Sequence, residues 1–399
     1  MIFPLKSKRA CSLLLVLLFL IQGVKAYATG PVVKQDSLLQ KAYILNIMRR
    51  VADWQINDWN TNGFKHAKVD WTNAACYTGI YALGSMKRNE KYLTGSIKGN
   101  EKYLTTLVKI GNDLGWNTGR DRFMADDYCI GQTYSLLYAK YKDKKMIAPF
   151  TLLADSIVNK PHDESLEWKN HIASREWAWC DALFMGPTAL SYLSTATGNP
   201  QYLNTATKLW WKTTDYLYDP AEHLYFRDGS YLDKKEKNGK KIFWARGNGW
   251  VLAGLVRVME NMPANYPDKV KFEKLYRDMA VKIASLQQPD GSWHASLLDP
   301  ESYPVKETSG TGFYCYALLW GLNHGLLDNK TYWPVVKKAW AALATSVHAD
   351  GMLGYVQRIG ASPDAVTENS TEVYGVGAFL LTGAQLYQYL NAHPAAAKN

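Results

Sequence analysis

The chain has 399 residues, 47% of them hydrophobic and 21% charged, with a formal net charge of +10. No Pro/Gly/Ser-rich linker interrupts it, no stretch beyond the first residues is long and apolar enough for a membrane helix, and nothing reads as a nucleic-acid motif. The basic residues are dispersed apart from KKEKNGKK (234–241), which reads as a solvated loop.

The first 28 residues read as a secretory signal peptide. Lys6, Lys8 and Arg9 make a basic start, Leu13 to Ile21 is an apolar run too short to span a bilayer, and Ala26-Tyr27-Ala28 is a small-x-small cleavage site. Periplasmic or secreted placement is expected. Without this segment the charge falls to about +6, compatible with an anionic ligand and equally ordinary for a soluble protein. Residues 29–399 are expected to form a single catalytic domain, a monomer or weak oligomer with no membrane or nucleic-acid partner.

From there the pattern predicts helix after helix: 36–59, 71–87, 100–115, 125–142, 145–159, 181–197, 201–218, 248–262, 267–288, 311–325, 332–348 and 372–392. Asp36 is a candidate N-cap ahead of Leu38, Ala42, Leu45, Met48 and Ala52 at three-and-four spacing. NEKYLTGSIKG (89–99) is repeated as NEKYLTTLVKI (100–110), a period of about three helical turns that extends an outer helix or its loop. Pro187 can open a helix, Gly198 can close it, and Asn199-Pro200 can start the next. Short β pieces are expected in loops such as His223–Tyr231.

Six Gly-bearing motifs recur: DWTNAACYTG (70–79), MADDYCIGQTY (124–134), WCDALFMGP (179–187), WARGNGWVLAG (244–254), ETSGTGFYCYA (307–317) and VYGVGAFLLTG (373–383). Gly79, Gly131, Gly186, Gly249, Gly312 and Gly377 stand 52, 55, 63, 63 and 65 residues apart, the mark of an internal repeat. Each motif heads a helix that is apolar nearly all round, and the alternate helices are amphipathic. That predicts an all-α fold of six hairpins, an (α/α)6 toroid with its polar residues gathered at the inner helix starts. Cys76, Cys129, Cys180 and Cys315 lie in these motifs and are expected to be mostly buried free thiols; no CxxC spacing suggests a zinc site, and no cofactor or metal is expected.

Asp126, Asp127 and Asp181 head two of the inner runs. A helix-start aspartate is ordinarily a cap, but three at equivalent positions beside Trp and Met argue against independent caps. Facing carboxylates suit acid/base work on a glycosidic substrate, and proximity and burial would raise one pKa. Trp244 and Trp250 could equally be core, whereas Arg246 beside Gly247 suits carboxylate capture, with the glycines allowing close ligand approach. His223 and His294 lack partners at metal-ligand spacing, and Ser309 in ETSG reads as polar pocket lining.

The order ADDYCIG, REWAWCDALFMGP, WARGNGWV, ETSGTGFY, YGVGAFLLTG resembles the unsaturated glucuronyl and rhamnogalacturonyl hydrolases of glycoside hydrolase families 105 and 88. The resemblance implies removal of a 4,5-unsaturated uronic acid from the non-reducing end of lyase-generated oligosaccharides. A carboxylic acid protonates C4 of the vinyl ether, water adds at C5, and the hemiketal rearranges to release the neighbouring sugar. Asp181 would be the acid/base. Its partner would be the acid of the ADD motif, with Asp126 favoured over Asp127. Trp179, Trp244, Arg246 and Trp250 would line the uronate subsite, with Met124, Trp71 and Asn73 as further contacts. Arg227 stands where some family members carry a His, which bears on substrate choice. Two other readings stand beside this one: an ordinary inverting glycosidase, with acid and base about 6.5–9.5 Å apart, and a non-catalytic sugar-binding protein on the same scaffold.

Overall fold

The structure, a computed structural model, describes residues 35–86, 99–160 and 163–397. The signal-like segment 1–28 and most of the first eleven-residue repeat lie outside the described residues. Among the described residues there are thirteen α-helices: α1 (Gln35–Leu38), α2 (Lys41–Asn62), α3 (Trp71–Ser85), α4 (Glu101–Asp113), α5 (Ile130–Tyr141), α6 (Ala148–Asn159), α7 (Ala182–Thr197), α8 (Pro200–Leu217), α9 (Ala245–Met259), α10 (Lys269–Ser285), α11 (Thr308–Asn323), α12 (Asn329–Ala344) and α13 (Val373–Ala392). The expected first helix is broken at Gln40, whose backbone is extended, and so divides into α1 and α2. The expected helix 125–142 begins with a separate 3-10 turn, Ala125–Tyr128.

Helices α3, α5, α7, α9, α11 and α13 form a closed inner ring in which each touches two neighbours and α13 returns to α3. α9, α11 and α13 are buried along most of their length, as a helix needs to be when apolar on every face. The outer helices are one-sided. In α4 the buried residues are Tyr103, Leu104, Leu107, Ile110 and Gly111, a single stripe. Each of α4, α8, α10 and α12 packs on the inner helix before it, α6 sets Phe150 against Gly131 of α5, and α2 covers α13. This is the (α/α)6 toroid.

Ring closure depends on bare backbone. A Cβ on Gly79 would lie 2.4 Å from the Gly377 carbonyl oxygen, and one on Gly377 would lie 2.5 Å from that of Ala75. Gly198 closes α7 at φ 76° and the Asn199 side chain caps α8 ahead of Pro200, as expected. Pro187, however, sits inside α7 rather than opening it.

The segments leading into the inner helices are long and bonded to one another. The short antiparallel pairs β1 (Tyr218–Asp219) with β2 (Leu224–Tyr225), and β3 (Trp293–His294) with β4 (Lys306–Glu307), lie in them. Trp179 bridges to Asp228 and Trp244 to Ser296, and Thr308 N–H donates to Tyr355 O at 2.9 Å. One end of the toroid is thus a ring of linked loops carrying the polar starts of the inner helices. None of the described helices is long and apolar enough to cross a membrane.

Candidate active site

Asp126 lies in the 3-10 turn that feeds α5, and Asp181 immediately precedes α7. Asp181 makes no side-chain cap hydrogen bond, so its carboxylate is free of the ordinary helix-start duty. Asp127 is placed differently. Its Oδ2 accepts the Asp121 N–H at 2.8 Å, and its carboxyl presses on Gly119, where a Cβ would fall 1.9 Å away. It braces the loop 119–121, whereas the Asp126 carboxyl lies within reach of the Asp181 charge.

Electrostatics tie Asp126 to Asp181. Burial first, then the Asp181 charge, then Asp70 and Asp127, push the Asp126 carboxyl up to about 8, against the pull of Arg227. Burial raises Asp181 too, but Arg227, the Cys180 thiol and Arg246 pull it back. Cys180 Sγ donates to Asp181 Oδ2 at 3.3 Å. Burial and the proximity of the two carboxyls therefore both favour a proton on the pair.

Two guanidiniums converge on Asp181. Arg227 NH1 reaches Asp228 Oδ2 at 2.6 Å, its plane lies 4.9 Å from the Trp168 ring, and its side chain is 19% exposed. Arg246 is almost wholly buried between the rings of Trp244 and Tyr374. Its NH1 and NH2 donate to the carbonyls of Gln357 and Arg358, both at 2.8 Å. An open bidentate clamp at Arg246 was the expectation; the structure instead commits a donor from each terminal nitrogen to the loop 357–358, and Arg227 is the more accessible cation.

The aromatic residues divide in the same way. Trp71 is half-buried and stacks on Tyr374 at 5.5 Å, and Met124 is also half-buried. Trp179 is 5% exposed and Trp244, whose Nε1 donates to Gln357 Oε1 at 2.8 Å, is 2% exposed. Trp250 is completely buried against Phe313, Phe184, Trp71 and Tyr374, so it supports the site from below instead of lining it. Asn73 donates to the carbonyls of His66 and Ala67, both at 3.0 Å, and fixes the turn before α3. Gly247 and Gly249 face Trp244, Cys180 and Phe313; they permit helix packing, not ligand approach. Ser309, expected as pocket lining, is buried on Glu307, which accepts from Ser309, Gly310 and Gln357 and caps α11. Among the described residues no cluster of three His, Cys, Asp or Glu could hold a metal ion.

Residues 47–390 match the family described as Glycosyl Hydrolase Family 88. The chain belongs to that family. Within glycosyl hydrolase family 88 and its structural relatives, it is 40% identical over 342 residues to the unsaturated 3S-rhamnoglycuronyl hydrolase of Formosa agariphila, covering 81% of this chain and 85% of the relative. A solved family 88 glycosyl hydrolase from Bacteroides vulgatus is 31% identical with a TM-score of 0.75, covering 88% of this chain and 99% of that one. A structure described as a polysaccharide lyase is 33% identical with a TM-score of 0.76, covering 88% and 98%.

This family 88 site includes residues that the sequence motifs did not flag. Asp70 caps α3 through Thr72 N–H at 2.9 Å and adds its charge to Asp126. Tyr374 stacks on Trp71 and donates to the Gln357 carbonyl at 2.5 Å. Its place at the head of the sixth motif was the available signal. Trp168 and Gln357 belong to no motif, and only the folded loops bring them in.

Proposed function

We propose that this family 88 protein removes the 4,5-unsaturated uronic acid from the non-reducing end of lyase-generated oligosaccharides, of the rhamnoglycuronyl class named for its relative. The observation that carries the reading is the pair Asp126 and Asp181 at the heads of the adjacent inner helices α5 and α7, each half-buried, with the charges of Arg227 and Arg246 acting on Asp181. The uronate carboxylate docks where Arg227 and Arg246 converge. Their charge is then shared with the ligand, the pull that lowers Asp181 weakens, and the proton passes from Asp126 to Asp181. Asp181 delivers it to C4, and water adds at C5 as its own proton returns to the carboxylate. The hemiketal opens to a ketone and frees the neighbouring sugar. Trp71 and Met124 supply the apolar wall for the ring, and Asp126 orients substrate and holds the resting proton.

The reading is supported by the family match and the relative's name, which favour it over an ordinary inverting glycosidase or a binding protein. The similarity to a polysaccharide lyase raises one competing reaction, β-elimination. Ultraviolet absorbance of the conjugated C4=C5 uronate separates the two by sign. Loss of absorbance on an unsaturated oligosaccharide supports hydration. A gain on a saturated polymer would establish elimination, and cleavage of saturated glycosides without change would restore the ordinary glycosidase. We also propose export, from the basic and apolar start and Ala26-Tyr27-Ala28. N-terminal sequencing of the protein from the periplasm or medium should begin at Thr29; an intact Met1 start would overturn it.

A further inference from the structure

The segment joining Arg227 to Arg246 carries Lys234, Lys235, Lys237, Lys240 and Lys241. It does not float free as a solvated loop. Lys235 bridges to Lys241, the Glu236 N–H donates to Lys240 O at 2.8 Å, and Gly239 turns the chain at φ 81°. The resulting hairpin is pinned to the loop 296–298, which leads into α11. Asn238 Nδ2 donates to Leu298 O at 2.8 Å, and Ser296, the residue bridged to Trp244, donates to Glu236 Oε1 at 2.6 Å. At its base Lys234 lies 4.2 Å from the Tyr231 ring, four residues beyond Arg227.

The charges sort themselves within this frame. Lys241 is paired with Asp219, and the Glu236 carboxylate is occupied by Ser296. Lys234, Lys235, Lys237 and Lys240 are exposed and have no carboxylate partner among the described residues; of the segment's other acids, Asp228 is paired with Arg227 and Asp233 is exposed. A hairpin holding four ammonium groups without carboxylate partners, set in the chain between Arg227 and Arg246, favours an extended anion.

We propose that the hairpin 234–241 is an outer subsite for the anionic remainder of the substrate: the further uronates of the oligosaccharide beyond the sugar being released. This rests on the function proposed above. A disaccharide leaves only one sugar beyond the cleaved bond, whereas a longer lyase product carries a second carboxylate outward. The lysines therefore select chain length through KM without touching the reacting atoms.

The test uses the full exported protein and lyase-made unsaturated disaccharide and tetrasaccharide from a glucuronate-containing polysaccharide. Turnover is read by ultraviolet absorbance and binding by tryptophan fluorescence, each from about 0.02 to 0.5 M sodium chloride. The variant carries Lys234→Gln, Lys235→Gln, Lys237→Gln and Lys240→Gln; a control carries Lys→Arg at the same positions. The expected result is a tetrasaccharide KM and Kd raised about tenfold at low salt and a flattened salt dependence. Disaccharide kinetics and kcat should be unchanged, and the Arg control should behave as the parent. Equal losses on both substrates, or none on either, overturn the proposal. Tetrasaccharide binding that ignores the lysines overturns it even without turnover. Absence of turnover with the parent protein on every unsaturated member counts against the hydrolase reading instead.

Discussion

Asp126, in the proposed catalytic pair, shows how such an environment burdens the fold. Its carboxyl is held up to about 8, whereas an unfolded chain releases the proton near about 3.9. Between those values the folded state binds more protons, so stability falls as pH rises from about 4 to about 8 and is level beyond. Asp126→Asn should therefore raise stability by roughly 1–3 kcal/mol at about pH 8 and by little near pH 4, read by urea unfolding at both values. The same substitution, and Asp181→Asn, should each lower kcat roughly 10²–10⁴-fold. Parent activity should decline above about pH 8, when the shared proton leaves the pair. Asp127→Asn should instead act on the loop 119–121, with a smaller effect on kcat than on stability. The sequence placed three acids at the inner starts and favoured Asp126 over Asp127 by spacing alone. What separates them is a hydrogen bond from Asp121 N–H, a loop contact with no periodicity to announce it.

At the scale of helices, one residue type does two jobs that look alike in the sequence. Gly79 brings α3 onto the backbone of α13, where neither partner can yield, so Gly79→Ala should cost roughly 2–3 kcal/mol. A Cβ on Gly249 would lie 3.3 Å from Phe313 Cβ and 3.4 Å from Gly310 Cα, a contact that small shifts relieve. The helix gains about 0.5–1 kcal/mol from Gly→Ala, so Gly249→Ala should be near neutral. Denaturation midpoints of the two variants test the contrast. Helix order and most boundaries were legible, because Gly198, Asn199 and Pro200 punctuate the chain by local chemistry. The purpose of the motif glycines was not: a glycine needed for a ligand and one needed for a neighbouring helix leave the same mark. Arg246 misled for a related reason. Two of its donors, one from each terminal nitrogen, are taken by the carbonyls of Gln357 and Arg358, more than a hundred residues away in the chain.

Across the whole molecule, closure of the ring governs how it comes apart. A linear solenoid can fray from either end, since its terminal repeats have one neighbour. Here α13 returns to α3 and α2 lies over α13, so each inner helix has two inner neighbours and the ring has no terminal repeat. Cys76, Cys129, Cys180 and Cys315 report on this from four places around the ring, and all four are free and fully buried. Burial pushes each of the four thiols up and keeps it inert until exposed. A thiol reagent should label none of them in the native protein, and in rising urea all four should become reactive together with the loss of helical circular dichroism. Labelling of Cys129 or Cys180 alone at low urea would mean that the loop end carrying Asp126 and Asp181 opens before the ring does. The active site would then be a separately unfolding unit in a scaffold that otherwise yields as one.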